Sequence, residues 1–207
     1  MSQYFSIHPE SPQSRLIKQA AHILQEGGLI AMPTDSAYAL AGLPGNPNVL
    51  ERIRRIRGVD DRHQFTLMCR DLAEISLYAK VDNSQFRLLK ATTPGPYTFI
   101  LEGTKELPRR VLHPKRKTLG LRIPEHPVIS ALIAELDSPL LTSTLLLPDE
   151  PVPLCDAWEI RERLEHDLEL VIEAGPCGVE PTTIIDLTSG TPELLREGLG
   201  SLAPFGL

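Results

Sequence analysis

The side chains able to do chemistry fall in six short stretches that share one character. Thr34, Asp35, Ser36 and Tyr38 follow Pro33 at the end of an apolar run. Arg54, Arg55 and Arg57 crowd the end of a helical pattern. Thr118 and Arg122 flank a second apolar run, and Thr142, Ser143 and Thr144 end a third. Thr182-Thr183 and Arg196-Glu197-Gly198 close the series. Guanidinium forks match the geometry of phosphate and carboxylate. Hydroxyls at strand ends bond their own backbone or a ligand. Together these groups describe a pocket for an anionic small molecule, with a nucleotide among the candidates.

Other chemistries lack their residues. No His-Glu-x-x-His pattern, Cys-x-x-Cys pair or Walker loop is present, and no serine sits in a Gly-x-Ser-x-Gly elbow. His63 and His113 lie beside basic segments, where a histidine binds phosphate, titrates or simply faces solvent. Cys69 lies in an apolar run and reads as core. The three cysteines are widely spaced and odd in number, which fits a reducing, cytoplasmic setting and gives no disulfide framework or zinc cluster. No bound structural metal is expected. No apolar run reaches the length that spans a membrane. Met1 to Glu10 lacks the basic and apolar regions of a signal peptide.

Charge is unevenly distributed. The net charge is −6, yet residues 51–62 and 105–122 hold 12 of the 21 basic residues and only four of the 27 acidic ones. The second island contains Arg109, Arg110, Lys115, Arg116 and Lys117. Two basic islands on an acidic body point to local anion sites rather than to a surface made wholly for nucleic acid.

The elements that must position these groups follow from periodicity. Helices are expected over 12–26 with Ser11 as cap, and over 49–57 with Gly58 as stop. Further helices are expected over 71–78, 83–91, 128–136 and 157–164, the last capped by Asp156. Strands are expected over 28–32, 38–43, 65–69, 97–101, 118–123, 140–143, 168–173, 183–187 and 194–197. The first two strands should be neighbours, as should the last two. Intermixed helices and strands without a linker or repeat predict one α/β domain.

The segments Pro33-Thr34-Asp35-Ser36-x-Tyr38-x-Leu40, Thr93-Pro94-Gly95-Pro96-Tyr97-Thr98, Gly120-Leu121-Arg122-Ile123-Pro124 and Glu180-Pro181-Thr182-Thr183-Ile184-Ile185-Asp186 occur in this order. They resemble the signatures of the YrdC/YciO family, and Leu195-Arg196-Glu197-Gly198 resembles its closing motif. The resemblance covers residues 12–200, which would form a single YrdC-like domain. It looks closest to the YciO branch through Arg57, Phe65 to Arg70 and Pro108 to Lys117.

The resemblance implies a single-domain, twisted, open mixed sheet with flanking helices and a concave basic cavity. It implies L-threonylcarbamoyladenylate synthase chemistry: threonine, bicarbonate and ATP give threonylcarbamoyl-AMP and pyrophosphate, with Mg²⁺. That product serves the N6-threonylcarbamoyl modification of tRNA, completed by partner proteins that this sequence does not identify. Carried over residue by residue, Thr34, Ser36, Tyr38, Thr118, Arg122 and Thr183 would bind substrate. Arg54, Arg57 and Arg196 would bind nucleotide, and Arg57 and Ser143 would act in catalysis.

Two departures stand out. The synthases carry lysine, any residue, arginine where this chain has Arg57, Gly58 and Val59. They carry serine, small residue, asparagine where it has Ser143, Thr144 and Leu145. Valine and leucine offer no polar group to a ligand, so weak or altered synthase activity is expected. Two alternatives stand beside that expectation. One is a double-stranded RNA or tRNA-binding module using Arg109, Arg110, Lys115, Arg116 and Lys117. The other is a metabolite-binding regulatory paralogue.

Overall fold

Alternation along the central strands decides what each face of the sheet carries. In the computed structural model, which describes residues 1–207, ten strands form one mixed sheet. They are β1 (Gln3–Ser6), β2 (Ile30–Met32), β3 (Ala39–Gly42), β4 (Thr66–Met68) and β5 (Tyr97–Glu102). After these come β6 (Thr118–Arg122), β7 (Leu140–Thr144), β8 (Leu170–Glu173), β9 (Thr183–Asp186) and β10 (Glu193–Arg196). The spatial order is β1-β8-β2-β3-β7-β4-β6-β5-β9-β10. Six helices flank it: α1 (Ser14–Gln25), α2 (Pro47–Arg57), α3 (Leu72–Tyr78), α4 (Asn83–Thr92), α5 (Pro127–Leu136) and α6 (Ala157–Leu164).

One face is apolar from side to side. Leu40, Leu67, Phe99, Leu121 and Leu141 of β3 to β7 meet Val49, Leu50, Ile53 and Ile56 of α2. Ile75 of α3, Leu89 of α4 and Ile160 of α6 join the same core. The opposite face changes character halfway. Ile30, Met32, Ala41, Leu140 and Ile172 pack under Ile17 and Leu24 of α1 and Val128 and Leu132 of α5. Farther across, the same face turns to small and hydroxyl residues. Thr142 lies opposite Thr66, and Thr66 opposite Gly120. Thr98 follows on β5, opposite Ile184 of β9. This uncovered, hydroxylated half-face is the floor of the main cavity.

Fifteen of these elements fall within two residues of the sequence expectation, and β2–β3 and β9–β10 pair as expected. Gly58 ends α2 in the left-handed region at φ 62°. Asp156 caps α6 by accepting from the Glu159 N–H. Ser11, however, does not cap α1, which begins after Gln13. The reason is local: His8 Nδ1 takes the N–H groups of Glu10 and Ser11, and Gln13 Oε1 takes that of His8. The chain there forms a side-chain-closed turn and the helix starts later. No strand was expected before residue 12, yet β1 joins the sheet in parallel with β8. Its half-exposed edge position leaves little alternation to read.

The two faces respond differently to truncation. Leu67→Ala, on the continuous core face, is expected to cost about 2–5 kcal/mol. Thr66→Ala, one residue away on the cavity face, should stay within about 0.5 kcal/mol. Urea denaturation of both variants measures the contrast.

Candidate functional site

The cavity above the hydroxylated half-face has a volume of about 410 Å³. No residue of α1 or α5 lines it, and no carboxylate does. Its floor includes Ala39, Thr66, Met68, Thr98, Thr142 and Ile184. Gly120 keeps that floor low. A Cβ there would stand 2.7 Å from Thr66 Oγ1 and 2.9 Å from Thr98 Cγ2.

One wall is the loop 33–38, held by its own side chains. Thr34 Oγ1 accepts from the N–H groups of Ser36 at 3.0 Å and Ala37 at 3.2 Å, and donates to the Ala37 carbonyl at 2.7 Å. This hydroxyl-closed turn turns Ser36 to the cavity and spends Thr34 on structure. Tyr38 points the other way. It is buried, and its hydroxyl donates to the Ile172 carbonyl at 3.1 Å. Burial pushes its phenol well above the ordinary range, with nearby Cys177 and Glu173 adding to the shift. Asp35 crosses to the end of β6. It forms a buried ion pair with Arg122 and accepts from the Glu125 N–H at 3.0 Å. Because β7 and β4 lie between β3 and β6, this pair draws the loop over two strands. A bridge between Ala37 and Gly178 sets the loop after β8 beside it.

Three arginines face the cavity from three elements. Arg57, at the end of α2, donates through Nη1 to Ser143 Oγ at 3.1 Å and to the Thr144 carbonyl. Arg196, on β10, donates through Nη2 to the Thr182 carbonyl at 2.9 Å. Arg122 is the third, and only it has an acidic partner. Burial lowers the pKa of all three, and Arg196 lowers Arg57 further. Guanidinium groups remain charged through such shifts, so the cavity is positive. His63 and Gln64 complete this side. His63 Nε2 lies 3.0 Å from Ser143 Oγ. Burial pushes the imidazole down to about 4, aided by Arg57 and Arg54. It is therefore neutral near pH 7.

Among the residues expected to meet substrate or nucleotide, the structure gathers Ser36, Arg57, Arg122, Ser143 and Arg196 around one space. It sets others behind the wall. Thr34 and Tyr38 brace the loop. Thr118 accepts from Gln64 Nε2 at 2.9 Å, so the amide rather than the threonine faces inward. Thr183 is fully buried, donating to the Gly200 carbonyl and accepting from the Gly198 N–H. Arg54 pairs with Glu51 and lies 5.6 Å over the Phe65 ring instead of entering the cavity. Leu145 is buried in the core and Val59 lies off the lining, so neither brings a polar group.

Sequence reasoning missed Gln64, Thr66 and Thr98. Thr66 and Thr98 carried a signal, a threonine at an inward position of an otherwise aliphatic strand; Gln64 carried none. Arg109, Arg110, Lys115, Arg116 and Lys117 are exposed between β5 and β6, and none lines the cavity. No group of three or more His, Cys, Asp or Glu gathers to hold a metal ion, and no helix is long and apolar enough to cross a membrane.

Comparison with known proteins follows the same outline. A family model for Sua5, YciO and YrdC proteins, described as telomere recombination, matches residues 22–198. The YciO protein of Escherichia coli K12 is 53% identical over 205 residues, covering 99% of this chain and all of that one. The crystal structure of E. coli YciO superposes with a TM-score of 0.96 over 99% of this chain. The threonylcarbamoyl-AMP synthase of Pyrococcus abyssi is 29% identical over 88% of this chain, which spans 54% of that protein. The crystal structure of P. abyssi Sua5 complexed with L-threonine gives a TM-score of 0.86 at 26% identity, covering 95% of this chain and 58% of that one.

The Asp35–Arg122 pair should be the weak point of the loop. Asp35→Ala leaves Arg122 buried and uncompensated, with an expected loss of about 3–5 kcal/mol. Urea denaturation gives the magnitude. Faster amide exchange at Ser36 and Ala37 than in the rest of the sheet would localise it.

Proposed function

The chain belongs to the Sua5/YciO/YrdC family, and from that premise we propose that its cavity binds ATP with a small acid and supports a weakened or altered threonylcarbamoyl-AMP synthase reaction. One observation carries the reading. Arg57 and Arg196 enter a cavity free of carboxylates, and neither has an acidic partner of its own. Arg57 is half-buried and Arg196 stands at the exposed rim; cations without a carboxylate attract an anion, and their forks suit phosphate. The hydroxyl oxygens of Ser36, Thr98, Thr142, Ser143 and Thr182 give the lining its polar surface, with protons partly engaged inside the protein, as Thr142 is by the Thr66 carbonyl.

The reaction suits this donor set. A carbamate oxygen attacks the α-phosphorus, the bond to the β-phosphate oxygen breaks, and pyrophosphate leaves. Alignment and fixed positive charge do most of such work. Mg²⁺ would enter on the nucleotide's phosphate oxygens, keeping several waters, since the lining offers hydroxyls and no carboxylate. The weakening follows from Val59 and Leu145, which leave two polar positions of the synthases without a donor. One well-aimed donor is worth about 2.7–4 kcal/mol in a transition state. Arg57 is also engaged by Ser143 and Thr144 before any ligand arrives. A product of this kind would place the chain in tRNA modification.

Purified protein with ATP, Mg²⁺, threonine and bicarbonate is expected to release pyrophosphate slowly and to form the adenylate. No product above a heat-inactivated control would reject this reaction. Arg196→Ala should weaken ATP binding by about tenfold to a hundredfold, the worth of a hydrogen bond to a charged group, by calorimetric titration.

A second reading rests on a separate observation. Arg109, Arg110, Lys115, Arg116 and Lys117 are all exposed on one connection and none pairs with an acidic side chain. They form a surface suited to RNA phosphates, independent of catalysis. Reversing Arg116 and Lys117 to glutamate should lower double-stranded RNA affinity and flatten its salt dependence by about two phosphate contacts. Unchanged filter-binding curves would remove the island from consideration.

A further inference from the structure

His63 enters the cavity from the loop between α2 and β4, within reach of the same oxygen that Arg57 engages. Its Nε2 lies 3.0 Å from Ser143 Oγ, and Arg57 Nη1 lies 3.1 Å from that oxygen. Arginine can only donate. Ser143 Oγ therefore accepts from Arg57 and has its own proton to give, and His63 Nε2 is the acceptor. The ring stands edge-on to Phe65, with centroids 5.2 Å apart and planes at 89°. The charged groups around it are few. Arg57 and Arg54 of α2 oppose its protonation. Asp60 of its own loop favours it, but that carboxylate is engaged by Arg62. From β7 it meets the Ser143 hydroxyl.

We propose that His63 is a ligand-binding group of the cavity: an oxyanion of phosphate or sulfate type, held by Arg57 and Ser143, turns its Nε2 from an acceptor for Ser143 into a charged donor to the ligand. The proposal rests on the reading of the cavity as a phosphate site. An anion here adds the negative charge that an imidazole among arginines otherwise lacks. It also competes for the Arg57 and Ser143 protons, which frees Nε2 from its present partner.

The consequence is proton uptake on binding. The empty site titrates at about 4, and an occupied one titrates higher. Between those two values one proton enters with the ligand, so affinity rises as pH falls, by up to about tenfold per pH unit. Without ligand the same depression acts on the fold. The unfolded chain takes its proton at an ordinary histidine value of about 6.5, so stability declines as pH falls from there toward about 4.

The test follows the His63 ring Cε1–H signal against pH by NMR, assigned by its absence in His63→Gln. It is recorded without ligand, with AMP, and with sulfate against chloride of equal ionic strength; sulfate does not itself titrate in this range. The ligand-free ring is expected to stay neutral down to about pH 5. With AMP or sulfate its midpoint should rise by about one unit or more, and the pH dependence of sulfate affinity should vanish in His63→Gln. A raised midpoint with sulfate but no response to AMP keeps the role of His63 and overturns the nucleotide reading. AMP or sulfate that binds, by shifts at other cavity residues, while the His63 midpoint stays put overturns the role of His63. No binding of either overturns both.

Discussion

The buried ion pair between Asp35 and Arg122 is the constraint on which the cavity depends. Arg122 points from β6 onto the face that α1 and α5 leave uncovered, and almost none of its side chain reaches solvent. A guanidinium in that position carries a desolvation cost of several kcal/mol unless a carboxylate meets it. The carboxylate comes from a loop that leads into β3, three strands away. Satisfying one buried charge therefore fixes the path of residues 33–38, and with them the wall that Ser36 presents. Glu125, just beyond β6, adds its N–H to the same carboxylate, so the exit from that strand is fixed by the same contact.

The remaining cations follow the opposite rule. Arg57 and Arg196 are anchored by carbonyls and hydroxyls alone, at Thr144, Ser143 and Thr182. Such bonds orient a guanidinium without neutralising it. The protein thus builds two kinds of arginine in one cavity: one whose charge is cancelled and whose task is structural, and two whose charge stays available. Neutral His63 beside Arg57 fits this division, since a second permanent cation at Ser143 would raise the cost of the empty state. The floor is consistent with it too. Threonines at Thr66, Thr98 and Thr142 replace the leucines found on the other face, and Gly120 leaves the space between them open.

Much of the fold was legible because it depends on local patterns. The α2 helix announces itself through Val49, Leu50, Ile53 and Ile56 and stops at a glycine in the left-handed region. β1 was not legible, because an edge strand with both ends exposed has no face to reveal. The site was legible in part for a related reason. Residue types told that hydroxyls and arginines cluster in sequence, and eight of them do converge. They did not tell which hydroxyls are consumed by the backbone. Thr34 closes a turn, Thr183 ties β9 to the segment after β10, and Tyr38 reaches the Ile172 carbonyl. A threonine that braces a loop and one that faces a ligand look alike in sequence, since the difference lies in which neighbour wins the hydroxyl proton. Arg54 illustrates the same limit: three helical positions separate a cation stacked on Phe65 from one aimed at Ser143.

The Arg57–Ser143–His63 arrangement also depends on the apolar residue two places beyond Ser143, Leu145. Leu145 follows Thr144 at the end of β7, and its N–H donates to the Tyr38 carbonyl while its side chain fills the core. A polar side chain there would have to leave that core to reach a ligand, so leucine stabilises the strand end that carries Ser143. Arginine at 57 reaches both the Ser143 hydroxyl and the Thr144 carbonyl with one terminal nitrogen, and its second terminal nitrogen remains for a ligand. A lysine would offer a point charge without that fork. One rigid cation and one imidazole thus meet at the single hydroxyl oxygen of Ser143.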